Sequence, residues 1–290
     1  MIQYSIKDLE KLTGIKAHTI RIWEKRYDIV VPHRTSTNIR FYTERDLKKL
    51  MNVASLVKLG VKISTLSGLS FEELNDKIIE FYRKPNINTT YIDQLILAMT
   101  DLDDKTFNKI LSNAILDKGF ENTIIEVIFP FLQQLGLLWQ TGNINIAHER
   151  FVMNLLRQKL IVAIDGLNYF PDKNSKLFVM FLPKDEYHEI ELLSYRYIIR
   201  KHGHKVVYLG QSIPLDDLSE IVKIKKTDYL FTCINLPHTQ EELKIIIQNL
   251  SKLFPEQKIF ITGKQVKECD INFPSNIVKI DCISHFKELI

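Results

Sequence analysis

Apolar residues recur along the chain with spacings that change near residues 70 and 175. Up to residue 70, short stretches with helical spacing alternate with turns. From about residue 71 to residue 168 the helical spacing runs over longer stretches, and from about residue 175 short apolar runs alternate with amphipathic ones. The pattern predicts short helices, then long helices, and finally strands that alternate with helices.

Two short helices joined by a tight turn are predicted in the first segment. Ser5 is a predicted N-cap, and Gly14 stands where the turn needs a positive φ. The second helix is predicted over residues 17–26, with Ile20 and Trp23 facing inward. This is the helix-turn-helix pattern, whose second helix enters the major groove of DNA. Pairs of short helices also occur in ordinary protein cores.

An arginine-flanked turn follows in the stretch "VVPHRTSTNIRFYTERDL". Arg34 and Arg40 lie on either side of Thr-Ser-Thr-Asn, which predicts a β-hairpin wing that contacts phosphates, and Thr43 is the predicted cap of a third helix. Residues 1–70 hold 13 Lys/Arg against 6 Asp/Glu, whereas the whole chain has a net charge of only +4. This excess favours nucleic acid or another anionic partner for the first segment.

Three motifs occur together here, "TIRIWEKRY", "PHRTSTNIRFYTERDL" and "LVKLGVKIS". On these motifs residues 3–70 resemble the N-terminal domain of the MerR family of transcription regulators. The resemblance implies contacts to DNA from the recognition helix and the wing, namely from His18, Thr19, Arg21, Arg26, Tyr27, Arg34, Arg40 and Tyr42. Tyr42 is also a candidate for the core. The implied partners are double-stranded operator DNA, a second copy of the chain in a homodimer or higher oligomer, and RNA polymerase.

A helix bundle is predicted over residues 71–172. The expected helices share the long helical period and cover 72–83, 89–101, 104–118, 121–139 and 146–168. Pro130 is expected to kink its helix or to begin a new one. Glu149, ten residues after Trp139, is expected in the first turn of the last helix, where its charge favours the helix dipole.

The same segment resembles the four-helix cap of cobalamin-binding modules. In that cap a tryptophan and a Glu-His pair at this spacing lie over the upper face of the corrin. The resemblance implies that Trp139 and Glu149 contact a cofactor. Arg150 stands where the cap has its histidine, so the candidate upper ligand is missing.

Five strand-like runs alternate with amphipathic helices over residues 173–290, which predicts a doubly wound, flavodoxin-like parallel sheet. Ligands of such sheets bind outside the carboxyl ends of the strands. The stretch "KDEYHEIE" at 184–191 follows the first strand, so His188 lies at the ligand-binding position. A histidine there is a metal ligand, a catalytic base or a solvated loop residue.

This last segment resembles the flavodoxin-like cobalamin-binding domain. The domain's loop motif is Asp/Glu, any residue, His, two residues, Gly. Glu186 and His188 match it, which implies that His188 binds the cobalt of cobalamin from below while Glu186 holds the other ring nitrogen.

Three positions of the tail site depart from this motif. Glu191 replaces its glycine, Cys233 stands at the serine of the third strand, and Gly263-Lys264 replaces a Gly-Gly pair. We therefore expect weak cobalamin binding or none.

The sequence thus predicts a multidomain α and α/β protein with a winged helix-turn-helix at 1–70, a bundle at 71–172 and a flavodoxin-like domain at 173–290. We expect a DNA-binding transcription regulator, not an enzyme, whose C-terminal half senses a signal or mediates assembly. Three alternatives stay open: a cobalamin-dependent light or cofactor sensor, a corrinoid-carrying enzyme subunit, and a protein-interaction module.

The expected compartment is the cytoplasm. No apolar run reaches the roughly 18 to 20 residues of a membrane helix, and the first residues, "MIQYSIKDLEK", carry charges where a signal peptide needs an apolar stretch. The three cysteines, Cys233, Cys269 and Cys282, match neither a disulfide framework nor a zinc pattern, and we interpret them as reduced thiols.

Overall fold

A computed structural model describes residues 3–35, 38–82, 89–140, 144–167 and 174–290. These residues divide into two compact units, Met1–Phe151 and Val152–Ile290. The first unit thus includes both the predicted DNA-binding segment and most of the bundle. None of the helices in the described part of the chain is long and apolar enough to cross a membrane.

The first unit begins with a winged helix-turn-helix. Its elements are α1 (Ile6–Thr13), α2 (Ala17–Tyr27), β1 (His33–Arg34), β2 (Arg40–Phe41) and α3 (Glu44–Lys58), followed by a 3-10 turn at Ile63–Thr65. Ser5 and Thr43 form capping boxes with Asp8 and Asp46, and Gly14 has a φ of 72°. β1 and β2 pair antiparallel, which confirms the predicted wing.

The bundle follows in the same unit. Its helices are α4 (Phe71–Tyr82), α5 (Thr89–Thr100), α6 (Asp104–Lys118), α7 (Phe120–Thr123), α8 (Phe129–Gln140) and α9 (Ile146–Asp165), with a π-helical turn at Ile124–Ile128 between α7 and α8. α9 continues into the second unit. Pro130 lies in the first turn of α8, directly after the π-helical turn, so the hydrogen-bond pattern changes at the proline while the backbone stays helical at Ile124 and Phe129.

The second unit has a parallel sheet. Its elements are β3 (Leu177–Pro183), α10 (Glu189–Lys201), β4 (Lys205–Ile213), α11 (Leu215–Ile224), β5 (Tyr229–Cys233), α12 (Gln240–Leu253), β6 (Lys258–Thr262), α13 (Lys264–Lys267), β7 (Ile277–Lys279) and α14 (Ile283–Lys287). Within residues 174–290 the strand order is β4-β3-β5-β6-β7, and neighbouring strands are parallel. This confirms the doubly wound sheet.

Both faces of this sheet are covered by helices. On one face, Tyr195 of α10 and Phe286 of α14 pack edge-on with ring centroids 5.3 Å apart. They contact an aromatic layer formed by Phe178, Phe231 and Phe260 of the central strands. On the other face, leucines and isoleucines of α11 and α12 pack against β3, β5 and β6. The strands are apolar on both faces because neither face meets water.

Candidate functional site

The recognition helix α2 presents polar side chains on the face opposite its buried residues. Ile20 is fully buried and Trp23 nearly so, because both pack into the core of the helix-turn-helix. His18 and Arg21 are therefore exposed, while Thr19 is half-buried. The helical period thus sorts the residues of α2 into a core face and a solvent face, as the sequence predicts.

A groove separates α2 from the wing. Arg21 and Lys25 of α2 and Arg40 of β2 line it, together with the carboxylates of Glu24 and Asp28 and the apolar stretch Val30–Pro32. Arg40 and Arg21 both lie near Tyr42, since both lower the pKa of its hydroxyl. The structure therefore brings cations from two predicted DNA-binding elements to one surface. Such a surface suits a phosphate backbone.

The two wing arginines differ in what they contact. Arg34 Nη1 donates to Asn38 Oδ1 at 2.6 Å, across the turn of the hairpin. Asn38 has a φ of 65°, a left-handed conformation that asparagine tolerates in turns. Arg34 therefore braces the wing from an exposed position, whereas Arg40 lines the groove.

Tyr42 lies in the core. Its side chain is fully buried, and its hydroxyl donates to Glu24 of α2. Burial and the Glu24 carboxylate raise the pKa of this hydroxyl well above its ordinary value. Tyr42 thus links the wing to the recognition helix. Because its ring is buried, the ring does not contact solvent.

The end of α2 carries the two remaining predicted contacts. Arg26 is exposed, and Tyr27 is half-buried against the core of the domain. The Tyr27 carbonyl accepts a hydrogen bond from Ser67 Oγ at 3.0 Å, which holds the end of the recognition helix.

In the bundle, Trp139 lies against the helix-turn-helix. Lys48 of α3 places its Nζ 5.7 Å from the centroid of the indole ring. Leu137, on the same helix α8, packs into the core of the DNA-binding segment. The sequence reasoning missed this contact, because nothing in the local pattern around Trp139 indicates a partner 91 residues earlier.

Glu149 lies in the first turn of α9, as predicted, and is half-buried. The histidine nearest to it, His148, is engaged at the start of the helix. Asn145 Oδ1 accepts hydrogen bonds from the backbone of Ala147 and His148, and the Asn145 backbone donates to His148 Nδ1 at 3.3 Å. His148 therefore belongs to a helix cap and does not replace the histidine missing at Arg150.

In the second unit, Glu186 and His188 form a pair at the carboxyl end of β3. His188 Nδ1 lies 2.6 Å from Glu186 Oε1. Burial alone would raise the pKa of Glu186, but hydrogen bonds from His188, Leu236 and Asn235 outweigh it and lower the pKa to about 2. An ionised carboxylate only accepts, so Nδ1 of His188 is the donor in this pair. The His188 side chain is 52% exposed.

Glu186 also joins the loop after β3 to the loop after β5, at the point where the strand order reverses. Its Oε2 accepts from the backbone N–H groups of Asn235 and Leu236, at 2.8 and 2.7 Å. These residues follow β5, the neighbour of β3, and the crevice between two such loops is where doubly wound sheets bind ligands. The chain's own carboxylate therefore occupies that crevice.

Glu191 reaches across the sheet edge from α10. Its Oε1 lies 2.7 Å from Lys267 Nζ of α13 and 3.3 Å from Thr262 Oγ1 at the end of β6. The Glu191 side chain is 15% exposed, so the pair is partly withdrawn from water. The sequence singled out Lys264 here, but that side chain is exposed and Lys267 is the partner.

Cys233 and Gly263 stand beside this pair. Cys233 is fully buried, and burial, together with the Glu191 charge, raises the pKa of its thiol. Gly263 has a φ of 109°, and a Cβ there would lie 2.4 Å from the Ile234 carbonyl oxygen. Backbone packing therefore requires this glycine whether or not a ligand binds. The Lys264 backbone donates to Asn235 Oδ1 at 2.8 Å.

Known proteins are similar to the DNA-binding segment and to the bundle. Residues 4–70 match the model of the MerR HTH family regulatory protein, and residues 91–163 match that of the B12 binding domain. The HTH-type transcriptional repressor CarH of Myxococcus xanthus is 26% identical over 260 residues, which cover 87% of this chain and 85% of that protein. CarA of the same organism, also an HTH-type transcriptional repressor, is 22% identical over 91% of this chain and 87% of its own length.

Residues 4–70 thus form a MerR HTH domain, and the chain is homologous over most of its length to two HTH-type transcriptional repressors. Both of these relatives are named as transcriptional repressors and neither as an enzyme. Among solved structures, the monomethylamine corrinoid protein of Methanosarcina barkeri is similar, with 16% sequence identity and a TM-score of 0.51. The aligned region covers 66% of this chain and 93% of the corrinoid protein. This likeness supports the fold of the C-terminal part alone.

Cobalamin fits one part of the C-terminal site of this chain and not the other. His188 suits a cobalt ligand, because Glu186 fixes its tautomer and its ring is half exposed. The positions that would hold the nucleotide tail of cobalamin suit it poorly. Glu191 is held by Lys267, and the face of the sheet below is filled by Tyr195, Phe286 and the aromatic layer.

Proposed function

We propose that this MerR-family regulator binds operator DNA as a homodimer through its winged helix-turn-helix. The groove lined by Arg21, Lys25 and Arg40 carries the proposal, because it joins exposed cations of the recognition helix and the wing. His18, Thr19 and Arg21 face the base edges, while Arg26, Arg34 and Arg40 contact phosphates. Tyr27 and Tyr42 act by holding these elements in place.

A homodimer suits this domain because one helix-turn-helix covers only a half-site of a pseudo-palindrome. The names of the two relatives support repression as the direction of control. A repressor bound at a promoter keeps RNA polymerase from binding there. RNA polymerase is therefore the proposed target of this repression.

Operator binding is tested with fragments selected from random DNA by the full-length protein. Arg21→Ala and Arg40→Ala should weaken binding by about 1 to 3 kcal/mol for a base contact, or lower the salt slope by about 1 for a phosphate contact. Sedimentation of the complex gives the number of chains per site. Unchanged affinity and salt slope in both variants, or a single chain on a full site, would contradict the proposal.

For the C-terminal unit we propose a retained fold that binds cobalamin weakly or not at all and that transmits another signal or mediates assembly. The Glu191–Lys267 pair supports this, because a nucleotide tail would have to displace a partly buried ion pair. The carboxylate would also repel the phosphate of such a tail.

A working cobalamin sensor is the second candidate, and the His188–Glu186 geometry favours it. Absorbance titration of the full chain with cobalamins separates the two candidates. We expect little binding by the unaltered protein and tighter binding after Glu191→Gly, more so with Lys267→Ala. Tight binding by the unaltered protein that is lost in His188→Ala would establish the sensor and refute the closed site.

A further inference from the structure

Trp139 and Lys48 join the bundle to the DNA-binding segment within the first compact unit. The Lys48 Nζ lies 5.7 Å from the centroid of the Trp139 ring, and the Lys48 side chain is only 18% exposed. A cation over an indole face is attracted by the ring quadrupole, more strongly when water is partly excluded. Leu137, two residues before Trp139 on α8, packs into the helix-turn-helix core.

The helix that carries Lys48 is continuous with the wing. Tyr42, the last residue of the wing, directly precedes Thr43, which caps α3 through a capping box with Asp46. Lys48 also pairs with Glu44, in the first turn of α3, at 3.0 Å. The contacts therefore run from Trp139 through Lys48 and Glu44 to the start of α3.

The other end of this chain of contacts reaches the DNA-binding groove. Tyr42 pairs with Tyr4 through two backbone hydrogen bonds of 2.9 Å and donates its hydroxyl to Glu24 of the recognition helix. Arg40, two residues earlier, lines the groove. A shift of the first turns of α3 would thus move the wing relative to α2.

We propose that Trp139 is a positioning residue for DNA binding, which holds α3, and through it the wing, by its contact with Lys48. The proposal rests on the operator binding proposed above and adds the route by which the bundle affects it. α8 is followed in the chain by α9, which continues into the C-terminal unit.

A double-mutant cycle on the full chain tests this route. Trp139→Leu removes the π face but keeps an apolar side chain, and Lys48→Met removes the charge but keeps most of the length. Each should weaken operator binding about two- to fivefold, and the double variant should lose no more than either single variant. Trp139→Phe and Lys48→Arg keep an aromatic ring and a cation, so they should retain most of the affinity.

Lys49→Met is the matched control, because it removes the same charge from the neighbouring position of α3. Equal losses in Lys48→Met and Lys49→Met, or losses that multiply in the double variant, would overturn the proposal. So would a Lys48→Met variant whose salt slope falls by about 1, because Lys48 would then contact a phosphate itself.

Chemical unfolding of each variant separates positioning from loss of fold. If Trp139→Leu unfolds, Lys48→Met and Lys48→Arg alone decide the outcome, because Lys48 lies at the rim of the core. Failure of operator binding as such would appear in the unaltered protein and in Arg21→Ala, so the two proposals fail in different measurements.

Discussion

The DNA-binding segment and the C-terminal α/β unit use their charged side chains in opposite ways. In the first, Arg21 and Arg40 are exposed along a groove. In the second, Glu186 and Glu191 are turned inward and are held by groups of the chain itself. Exposed charges are available to a partner, whereas buried charges must be satisfied internally. Changes in the first region should therefore alter affinity, and changes in the second should alter stability.

The largest effect is expected from the aromatic layer of the α/β unit. Phe286 is fully buried against Tyr195, Phe231 and Phe260. Phe286→Ala should lower the free energy of unfolding by about 3 to 5 kcal/mol because it leaves a cavity. Leu253→Ala is the control, since Leu253 is 46% exposed and should cost under about 1 kcal/mol. A similar small cost at Phe286 would show that this face is loosely packed and open to a ligand.

The DNA-binding segment should respond in affinity alone. Arg21→Ala should cost about 1 to 3 kcal/mol of operator binding and leave the free energy of unfolding within about 0.5 kcal/mol, because the side chain is exposed. Arg45→Ala removes the same charge from a side chain that is 74% exposed, pairs with Glu72 and is not one of the groove-lining residues. A comparable loss of affinity in Arg45→Ala would show that the segment attracts DNA only through its overall positive charge and not through the groove.

Glu186 should make the stability of the α/β unit depend on pH. Its pKa of about 2 in the folded protein is below the ordinary value of 4.5, so its ionised form stabilises the fold. That contribution is complete above about pH 4.5 and is lost as the pH falls toward 2. Glu186→Gln should cost about 1 to 2 kcal/mol at neutral pH, and urea unfolding should show the difference shrinking in acid. A difference that does not depend on pH would contradict this account.

The smallest effect is expected at the sheet edge. Glu191→Gln and Lys267→Met should show a coupling energy of about 0.5 to 1 kcal/mol in a double-mutant cycle of unfolding, because the Lys267 side chain is 34% exposed. Lys264→Met, at a neighbouring exposed lysine, should show no coupling with Glu191→Gln. Coupling of Glu191 to Lys264 and not to Lys267 would show that Lys264 is the partner of Glu191.

Much of the fold could be predicted because its signals are local. The caps Ser5 and Thr43 bond to residues three positions later, and the alternating strands and helices follow from short apolar runs. The candidate sites were partly predictable for the same reason. Glu186 and His188 are two residues apart, and the polar face of α2 follows from the burial of Ile20 and Trp23.

The rest depends on contacts between distant parts of the chain. Glu191 and Lys267 are 76 positions apart in the chain, and Lys267 lies three positions after Lys264, the lysine that the motif singled out. The sequence alone predicted the winged helix-turn-helix, most of the helices and the alternating strands and helices of the α/β unit, and it supplied the residue types of the candidate sites. Only the tertiary structure decided that Tyr42 bonds to Glu24, that Trp139 contacts Lys48 and that Lys267 holds Glu191, because such pairs form only where packing brings separate elements together.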